Sequence, residues 1–410
     1  MQRISSKSSL KGQAIGFFGV GLELLSVMFL IRLVVDIGNR IFSPFIPQLS
    51  FGLGLTIAAF SWLLALHALP GLASPVIGVL ADRYGRRTVM FIALILRGIG
   101  LFGLGFSSGW WSAIPMLLIG LTTTAYMPVQ RAYVSDQVSY ERRGRALAAV
   151  DASYSTAGMI GIPIVGWMIE VWGWNLPLYV LGSLSFIAAL VIMLRLPKTE
   201  NRTQSHRIRS TAWKLFFQPR ILAMMVVSVL LLFIFIIFMM SWALWLSEDF
   251  GFGPLEIGLI GKNIGIAEFA GLLLAGLFID QIGKRRGSLI GLAATAILLL
   301  LILFFQQSLL AVQVMLVLTA VAIEFAITAV IPLFAEQVPE ERATVFSLVT
   351  FGNTFGIGLA PPVTTYLWRW KGIGAIIVVV ALSSLLAYFL VWKYLYDLQD
   401  KNQAKAKTHP

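Results

Sequence analysis

The sequence predicts an all-α polytopic membrane protein, with twelve transmembrane helices in two pseudo-symmetric six-helix halves. Of its 410 residues, 58% are hydrophobic and only 12% are charged, a balance too apolar for a soluble globular protein. Apolar runs of about 20 residues, the length that crosses a bilayer core, recur from Leu24 almost to Lys393. These runs leave no room for a sizeable soluble domain.

The distribution of basic residues predicts the orientation of the chain. Its formal net charge is +12, but Lys and Arg concentrate in alternate loops and in the tails. Only Arg369 and Lys371 fall in the opposite set of loops. This asymmetry is typical of cytoplasmic loops and predicts two cytoplasmic termini in an inner or plasma membrane protein. The lipid bilayer, not nucleic acid, is therefore the expected partner of the basic segments, and we expect a monomer.

Residues suited to catalysis are scarce. Cysteine is absent, and the three histidines, His67, His206 and His409, have neither metal-ligand spacing nor a nucleophile pattern around them. No glycine-rich phosphate-binding motif is present either. We therefore expect no enzyme activity, no metal and no cofactor.

Charged clusters and Gly/Pro turns divide the apolar runs into twelve spans. Spans 1 to 6 are expected near 24–47, 55–81, 88–106, 112–137, 144–169 and 176–196. Spans 7 to 12 are expected near 220–246, 255–280, 287–305, 310–336, 343–367 and 373–395. The corresponding domains are an N-terminal bundle (1–197), a cytoplasmic linker (198–219), a C-terminal bundle (220–396) and a basic cytoplasmic tail (397–410).

The two halves repeat each other in sequence. The segments Gly78–Arg87 and Gly276–Arg285 both follow the pattern Gly-x-x-x-Asp-x-x-Gly-basic-basic, displaced by 198 positions. A second pair, Asp136-Gln137-Val138 and Glu336-Gln337-Val338, is displaced by 200. Parallel repeats of six spans are one way in which transporters build two rocking halves around a central site.

The segment Gly78–Arg87 resembles the signature loop of the major facilitator superfamily. Pro128, Arg131 and Asp136, with Arg142-Arg143-Gly144, are similar to the residues at and after the end of that family's fourth span. The resemblance implies the major facilitator fold and a latch that stabilises the outward-facing state. The residues given this gating role are Gly78, Asp82, Gly85, Arg86, Arg87, Arg131, Asp136, Gly276, Asp280, Gly283 and Lys284.

Three features explain how such a loop would work. Gly78 would let helix backbones approach closely, and Gly85 would permit a tight turn. Asp82 is placed to pair with Arg86 or Arg131. The alternative is that the loop's arginines only fix the orientation of the chain in the membrane.

Span 1 carries the densest set of charges at membrane depth, where ionisable groups are functional candidates. Arg32, Asp36 and Arg40 follow an i, i+4, i+8 spacing, with Asn39 close by. Asp36 is expected near the midplane, where transporters bind their substrates. Two arginines around one carboxylate leave a local positive excess that would attract an anionic substrate, and Asp36 is also a candidate proton carrier. A static ion network is the alternative.

Glu268 in span 8 and Glu324 in span 10 are also expected near mid-depth. Neither has a basic residue three or four positions away in its own helix, so each is a candidate for carrying a coupled proton. The family resemblance places spans 1, 4, 7 and 10 around the cavity, which favours Glu324. The alternative is a basic partner on another helix, with Lys262 and Arg97 the possible ones.

Tyr126 in span 4 and Trp242 in span 7 are expected to offer flat apolar surfaces to a substrate. In span 5, the segment Gly158–Gly166 resembles the glycine-and-proline motif of drug/proton antiporters, although Ile162 interrupts the expected Gly-Pro pair. Close helix packing with a proline bend also accounts for this segment.

Three functions are compatible with these features. The first is proton-coupled export of amphipathic or drug-like compounds. The second is proton-coupled transport of a small anionic or sugar-like metabolite, favoured by Arg32 and Arg40. The third is a non-transporting membrane sensor with the same fold, which would not need the carboxylates at mid-depth.

Overall fold

A computed structural model describes residues 21–139, 142–197, 218–337 and 342–397. Within these ranges the chain is almost entirely helical and contains no strand. The predicted linker and tail lie outside the described residues, apart from Gln218 and Pro219 at the end of the linker and Asp397 at the start of the tail.

The first half contains spans 1 to 6. Its helical segments are Leu22–Arg40 and Ile46–Gly52 (span 1), Ile57–Ala68, Leu69–Ala73 and Ser74–Tyr84 (span 2), Arg86–Phe106 (span 3), Gly109–Ser112 and Ala113–Asp136 (span 4), Arg143–Trp172 (span 5) and Leu176–Arg195 (span 6). The second half contains spans 7 to 12. Its segments are Pro219–Phe250 (span 7), Pro254–Ile282 (span 8), Lys284–Phe305 (span 9), Leu309–Gln337 (span 10) and Arg342–Tyr394 (spans 11 and 12).

The segment Arg342–Tyr394 is two helices joined at a break. Lys371 and Gly372 have non-helical backbone angles, and Gly372 has a φ of 62°, which glycine adopts without a steric penalty. In the described ranges, nine helices are long and apolar enough to cross a membrane, or ten if the bent pair Ile46–Gly52 and Ile57–Ala73 is one span. With the final helix divided and the charged helix Leu22–Arg40 included, the order is consistent with the predicted twelve.

Span 1 differs from its predicted form. The sequence predicts one helix near 24–47, but the first helix ends at Arg40, and a second short helix, Ile46–Gly52, follows a turn. Pro44 and Pro47 lie at this break, and proline lacks the backbone N–H that would continue the helix. The break leaves Arg40 at the end of a helix, next to the central cavity described below.

Three hydrophobic cores show how the halves meet. We call the side of the protein that carries the turns at Gly85 and Gly283 the loop side, and the opposite side the far side. A single large core on the far side contains residues from both halves, such as Phe45, Ile162, Trp242 and Ile376. On the loop side, each half has a core of its own. The halves are therefore joined on the far side and separate on the loop side.

Spans 2 and 5 show the same arrangement along their lengths. The far part of span 5 packs on span 8, whereas Arg143–Asp151 packs on spans 1 and 4 of its own half. The far part of span 2 packs on span 11, and the hydroxyl groups of Ser61 and Thr365 lie 2.9 Å apart there. Among the described residues, the contacts of spans 2 and 5 with the other half therefore lie on the far side.

Glycines allow spans 5 and 8 to approach closely. A Cβ atom added at Gly265 would lie 2.6 Å from the backbone of Gly158, and one at Gly166 would lie 2.4 Å from the Pro254 carbonyl oxygen. A π-helical turn, Ala157–Gly161, precedes Pro163 in this segment, because the proline cannot donate to the preceding turn. The glycine-and-proline segment of span 5 therefore forms a contact between the two halves.

Candidate functional site

A cavity of about 200 Å³ lies between the two halves. Spans 1, 2, 4 and 5 line it from the first half, and spans 7, 8 and 11 from the second. Most of its wall is apolar: Phe42, Pro44, Leu64, Ile162, Phe235, Ile236, Met239, Met240, Trp242, Gly261, Ile264, Ile357 and Pro361. Its polar lining residues are Asn39, Arg40, Ser43, His67, Thr123 and Tyr154. Trp242 is on the cavity wall, as predicted.

Arg40 and Glu268 form an ion pair across the two halves. Arg40 Nη1 lies 2.7 Å from Glu268 Oε2, and Nη2 lies 3.0 Å from Oε1, so the pair is bidentate. Arg40 also lies over the ring of Tyr154, 4.5 Å from its centroid. Both charged side chains are buried, where such hydrogen bonds are strong.

This pair corrects the expectation for Glu268. The sequence suggested an isolated carboxyl, or one paired with Lys262 or Arg97. Lys262 is exposed, and Arg97 binds elsewhere. The partner is Arg40, 228 positions away in the chain, because the break in span 1 brings it to the interface with span 8.

Asp36 belongs to a buried network inside the first half. Arg32 Nε lies 3.2 Å from both Asp36 carboxylate oxygens, and the Ser153 hydroxyl donates to Asp36 Oδ2 at 2.6 Å. Arg32 also donates to Gln130 Oε1 at 3.0 Å, and Gln130 donates to the Met28 carbonyl oxygen at 2.8 Å. Asp36 has no exposed surface and is not on the cavity wall. Arg32 and Asp36 lie on one face of the helix, as their i, i+4 spacing indicated, whereas Arg40, at the same spacing from Asp36, binds Glu268.

Arg97 in span 3 is a central residue that sequence reasoning gave little weight. It is 1% exposed, and its guanidinium donates to the Val35 carbonyl oxygen at 2.9 Å, to Asn39 Oδ1 at 3.0 Å and to Thr123 Oγ1 at 2.9 Å. These bonds tie spans 1, 3 and 4 together and orient Asn39. An arginine in the middle of an apolar span was the available signal.

The predicted positive excess around span 1 is absent from the described part of the structure. Arg32 also lies 3.5 Å from Asp151 Oδ1, and Arg131 binds the same carboxylate at 3.1 Å. Around the site, four arginines (Arg32, Arg40, Arg97 and Arg131) accompany four carboxylates (Asp36, Asp151, Glu268 and Glu324). The carboxylates that balance the arginines lie in spans 5, 8 and 10 as well as in span 1. Counting the charges of span 1 alone therefore gave a positive excess that the assembled site does not have.

Glu324 and Tyr126 stand apart from the cavity wall. Glu324 is half-buried, and within the described ranges no cation lies within 4 Å of its carboxylate. It packs close to Gly271 of span 8, where an added Cβ would lie 3.0 Å from Glu324 Cβ. Tyr126 is 1% exposed in the first half's own core and does not line the cavity, so the substrate surface expected there stays a prediction.

The first signature loop joins spans of one half. Arg86 binds Asp136 closely, donates to the Ala132 carbonyl oxygen at 2.6 Å and lies 3.9 Å from Asp82. Arg87 donates to the carbonyl oxygen of Met193 at the end of span 6. Gly85 turns the chain with a φ of 87°. The predicted Asp82–Arg86 pair and the turn at Gly85 are both present.

The second loop repeats this arrangement in the other half. Lys284 binds Glu336, as Arg86 binds Asp136, and Arg285 donates to the Trp392 carbonyl oxygen, as Arg87 does to Met193. Gly283 has a φ of 93°. Asp397 adds a contact by accepting from the Lys284 backbone N–H at 2.8 Å. The sequence repeat is therefore also a repeat of contacts.

One expectation for the loops differs from the structure. No described atom lies within 4 Å of a Cβ added at Gly78 or Gly276, so the close helix approach expected at Gly78 is absent in this conformation, which is consistent with the separation of the halves on the loop side. Of the two partners expected for Asp82, the structure shows Arg86, and Arg131 pairs with Asp151.

Comparisons with known proteins agree with this architecture. The family model of the Major Facilitator Superfamily matches residues 28–244 and 224–410. A crystal structure of a bacterial homologue of the human lysosomal transporter Spinster, in an inward-facing and unoccupied conformation, superposes with a TM-score of 0.72. It is 16% identical and covers 91% of this chain and 98% of its own, which shows a shared fold.

The relatives include proteins named for drug resistance and proteins named for the transport of a metabolite. Multidrug resistance protein 1 of Bacillus subtilis is 26% identical over 58% of this chain, and the match spans only 61% of that relative's length. The sialic acid transporter NanX of Escherichia coli is 23% identical over 75% of this chain and 78% of its own length. The order of the spans, the repeated loops and the family model agree, and the model matches both halves of the chain. This integral membrane protein belongs to the Major Facilitator Superfamily.

Proposed function

We propose that this protein is a secondary transporter that exports amphipathic, drug-like compounds in exchange for protons. The Arg40–Glu268 pair carries the proposal, because it is a buried ion pair between two halves at the edge of a largely apolar cavity. Alternating access requires contacts between the halves that break and form in turn. A carboxylate in such a contact can respond to a proton.

The chemistry of this pair supports the proposal of proton coupling. A proton on Glu268 would remove the negative charge that holds Arg40, and one of the two hydrogen bonds would lose its acceptor. The contact between spans 1 and 8 would then weaken. Glu324, also in the second half and without a cation within 4 Å among the described residues, is a candidate to receive the proton next.

The cavity supports a drug-like substrate over an anionic metabolite. Phe235, Met239, Met240 and Trp242 give one wall a flat, polarisable surface, which suits varied apolar compounds. Among the described residues around the site, the four carboxylates counted above equal the four arginines in number, so no positive excess favours an anion, and Arg32 and Arg40 each have an acidic partner outside span 1. The name of the Bacillus subtilis relative supports the same choice, and that of the sialic acid transporter keeps the metabolite porter as the alternative to be tested.

The two loops support a gating role on the side that is now separated. The contacts described above for both loops lie within their own halves, and no described atom lies within 4 Å of a Cβ added at Gly78 or Gly276. We propose that Gly78 and Gly276 are contacted when the loop side closes and the far side opens. The basic loops favour a cytoplasmic loop side under the positive-inside rule, and on that basis we propose that the conformation described here faces inward.

Reconstituted liposomes with a pH-sensitive dye inside test this function. Pools of neutral aromatic compounds, lipophilic cations, sugars and organic acids are added in turn to liposomes that hold the wild-type protein. We expect a proton flux triggered by aromatic or lipophilic compounds, and none in protein-free liposomes. A flux triggered only by sugars or organic acids would favour the metabolite porter, and no flux with any pool would contradict proton-coupled transport.

Glu23→Gln is the matched control for later carboxylate variants. Glu23 pairs with Arg195 at 3.4 Å, but both side chains are exposed, and exposed pairs contribute little. This variant should transport like wild type. If it did not, effects of other carboxylate variants could not be assigned to the central site.

A further inference from the structure

Trp242 lines the cavity and carries a buried hydrogen-bond donor that has no acceptor among the described residues. The residue lines the cavity from span 7 and is 2% exposed. Its Nε1 atom is buried, and no acceptor for it exists among the described residues. Because an indole N–H can only donate, and because buried donors are nearly always paired, a group that binds in the cavity is the natural acceptor.

A second unpaired polar atom lies on the opposite wall. His67 lines the cavity from span 2, and its Nε2 atom is buried without a partner in the described part of the chain. Each half therefore contributes to the cavity wall one residue whose ring nitrogen is buried and unsatisfied.

The charges at the cavity argue against a cationic ligand. Of the described residues that line it, none is Asp or Glu, and Arg40 carries the only permanent charge. The nearby Glu268 carboxylate has both oxygens bound to Arg40. A cation would meet a guanidinium and an indole N–H, two groups that can only donate, with no anion to offset the cost of its dehydration.

A second pocket adds no competing acceptor. Trp242 also lines this smaller pocket, whose other lining residues are apolar, apart from Ser241. The hydroxyl of Ser241 donates to the Phe238 carbonyl oxygen at 3.2 Å. The ring of Trp242 is thus held in apolar surroundings, and a ligand oxygen in the central cavity is the partner that it lacks.

From these contacts we infer, as a refinement that rests on the proposed function, that the substrates are uncharged aromatic compounds with a hydrogen-bond acceptor. A carbonyl or ether oxygen would receive the Trp242 N–H, while Phe235, Met239 and Met240 contact the rings. Trp242 is then a specificity-determining residue, which selects acceptor-bearing compounds over plain hydrocarbons and lipophilic cations.

Three probes test this selectivity by equilibrium dialysis against the protein in lipid nanodiscs. Benzophenone has a carbonyl between two rings, diphenylmethane has the rings without an acceptor, and tetraphenylphosphonium is a lipophilic cation. Binding to empty nanodiscs is subtracted. We expect benzophenone to bind at least about fivefold more tightly than diphenylmethane, the scale of one net hydrogen bond, and more tightly than tetraphenylphosphonium. Equal affinity for the first two, or tightest binding of the cation, would overturn the inference.

Two tryptophan variants test whether Trp242 causes the preference for benzophenone over diphenylmethane. Trp242→Phe keeps an aromatic ring but removes the N–H, and should bring benzophenone and diphenylmethane within about twofold of each other. Trp245→Phe is the matched control one turn away, because Trp245 lines the smaller pocket and not the cavity. It should keep the wild-type ratio. An unchanged ratio in Trp242→Phe would show that another group makes the selection.

The binding measurement tests the inference about Trp242, and the flux measurement tests the proposed transport, so that either proposal can fail while the other stands. A benzophenone preference without any solute-triggered proton flux in liposomes would contradict the transport proposal and leave the Trp242 site standing. Proton flux triggered by tetraphenylphosphonium, with no benzophenone preference, would support transport and overturn the inference.

Discussion

Arg40 and Glu268 bind each other through two hydrogen bonds, although they belong to opposite halves of the protein. The pair lies where span 5, span 8 and the end of the first helix of span 1 converge. Gly158 of span 5 permits this geometry, because a Cβ there would lie 3.0 Å from Arg40 Nη2. A charge contact and a glycine contact therefore hold the far side together at the same level.

Removing one partner of this pair should cost much more than removing both. Arg40→Leu leaves the buried Glu268 carboxylate without its cation, and breaking a buried pair in this way costs about 3–5 kcal/mol. The double variant Arg40→Leu/Glu268→Gln should recover most of that loss. Thermal unfolding in detergent measures both, and equal midpoints for the single and double variants would show that the pair contributes nothing to holding the halves.

The glycine contact between spans 5 and 8 should tolerate no added methyl group. Gly265→Ala would place a Cβ 2.6 Å from the backbone of span 5, and the helices would have to separate at a cost of about 1–3 kcal/mol. Gly276→Ala is the control on the same helix, since no described atom lies within 4 Å of its Cβ position. It should be neutral or slightly stabilising. Equal unfolding midpoints for the two variants would refute the close contact.

Gly78 should matter only when the loop side closes. Gly78 lies two turns beyond Gly71, and an added Cβ at Gly71 would lie 2.7 Å from Thr354 Oγ1 of span 11. The same face of span 2 therefore continues into the open region. We expect Gly78→Leu to fold normally, to hold the protein open on the loop side and to reduce transport at least about tenfold.

Spin labels measure this shift directly, because the chain has no cysteine. Cysteines introduced at Tyr84 and Gln281, which are exposed on opposite halves, report the distance across the loop side. Gly78→Leu should lose the shorter distances that wild type reaches during turnover, whereas Gly374→Leu, another open glycine, should keep them. Short distances in Gly78→Leu would mean that Gly78 is not part of the closing surface.

Arg97 should be more important for stability than its position in span 3 suggests. Arg97→Met removes donors to Val35, Asn39 and Thr123 and leaves their oxygen atoms with fewer partners, at a cost of about 1–3 kcal/mol. Arg97→Lys keeps the charge but not the planar fork that reaches all three, so it should recover only part of the loss. Full recovery by lysine would show that charge alone is required. Thermal unfolding in detergent compares the three proteins.

The sequence was informative where the signal was local or repeated. Hydropathy located the spans, the i, i+4 spacing placed Arg32 and Asp36 on one face of span 1, and the signature loop predicted both the Asp82–Arg86 contact and the turn at Gly85. Each of these depends on residues in one helix or one turn. Such contacts survive any rotation of the helices about one another.

Partners between distant helices were the part that could not be predicted. The ion pair of Glu268 depends on the break after Arg40 and on the rotation of span 8, and neither is encoded by spacing along one helix. Arg97 and Tyr126 depend on rotation too, which turns the first toward span 1 and the second into the core of its own half. The open state around Gly78 reflects the conformation of the whole molecule, which no single motif determines.

Proton flux and solute exchange, measured separately in Glu268→Gln, test most directly the claim that the Arg40–Glu268 pair couples transport to protons. The neutral amide resembles a permanently protonated Glu268. In liposomes, the variant should still exchange labelled solute across the membrane at equal concentrations, while solute-triggered proton flux falls to the protein-free level. Glu23→Gln should keep both activities. Proton flux that persists in Glu268→Gln, with the exchange unchanged, would contradict the role given to the Arg40–Glu268 pair.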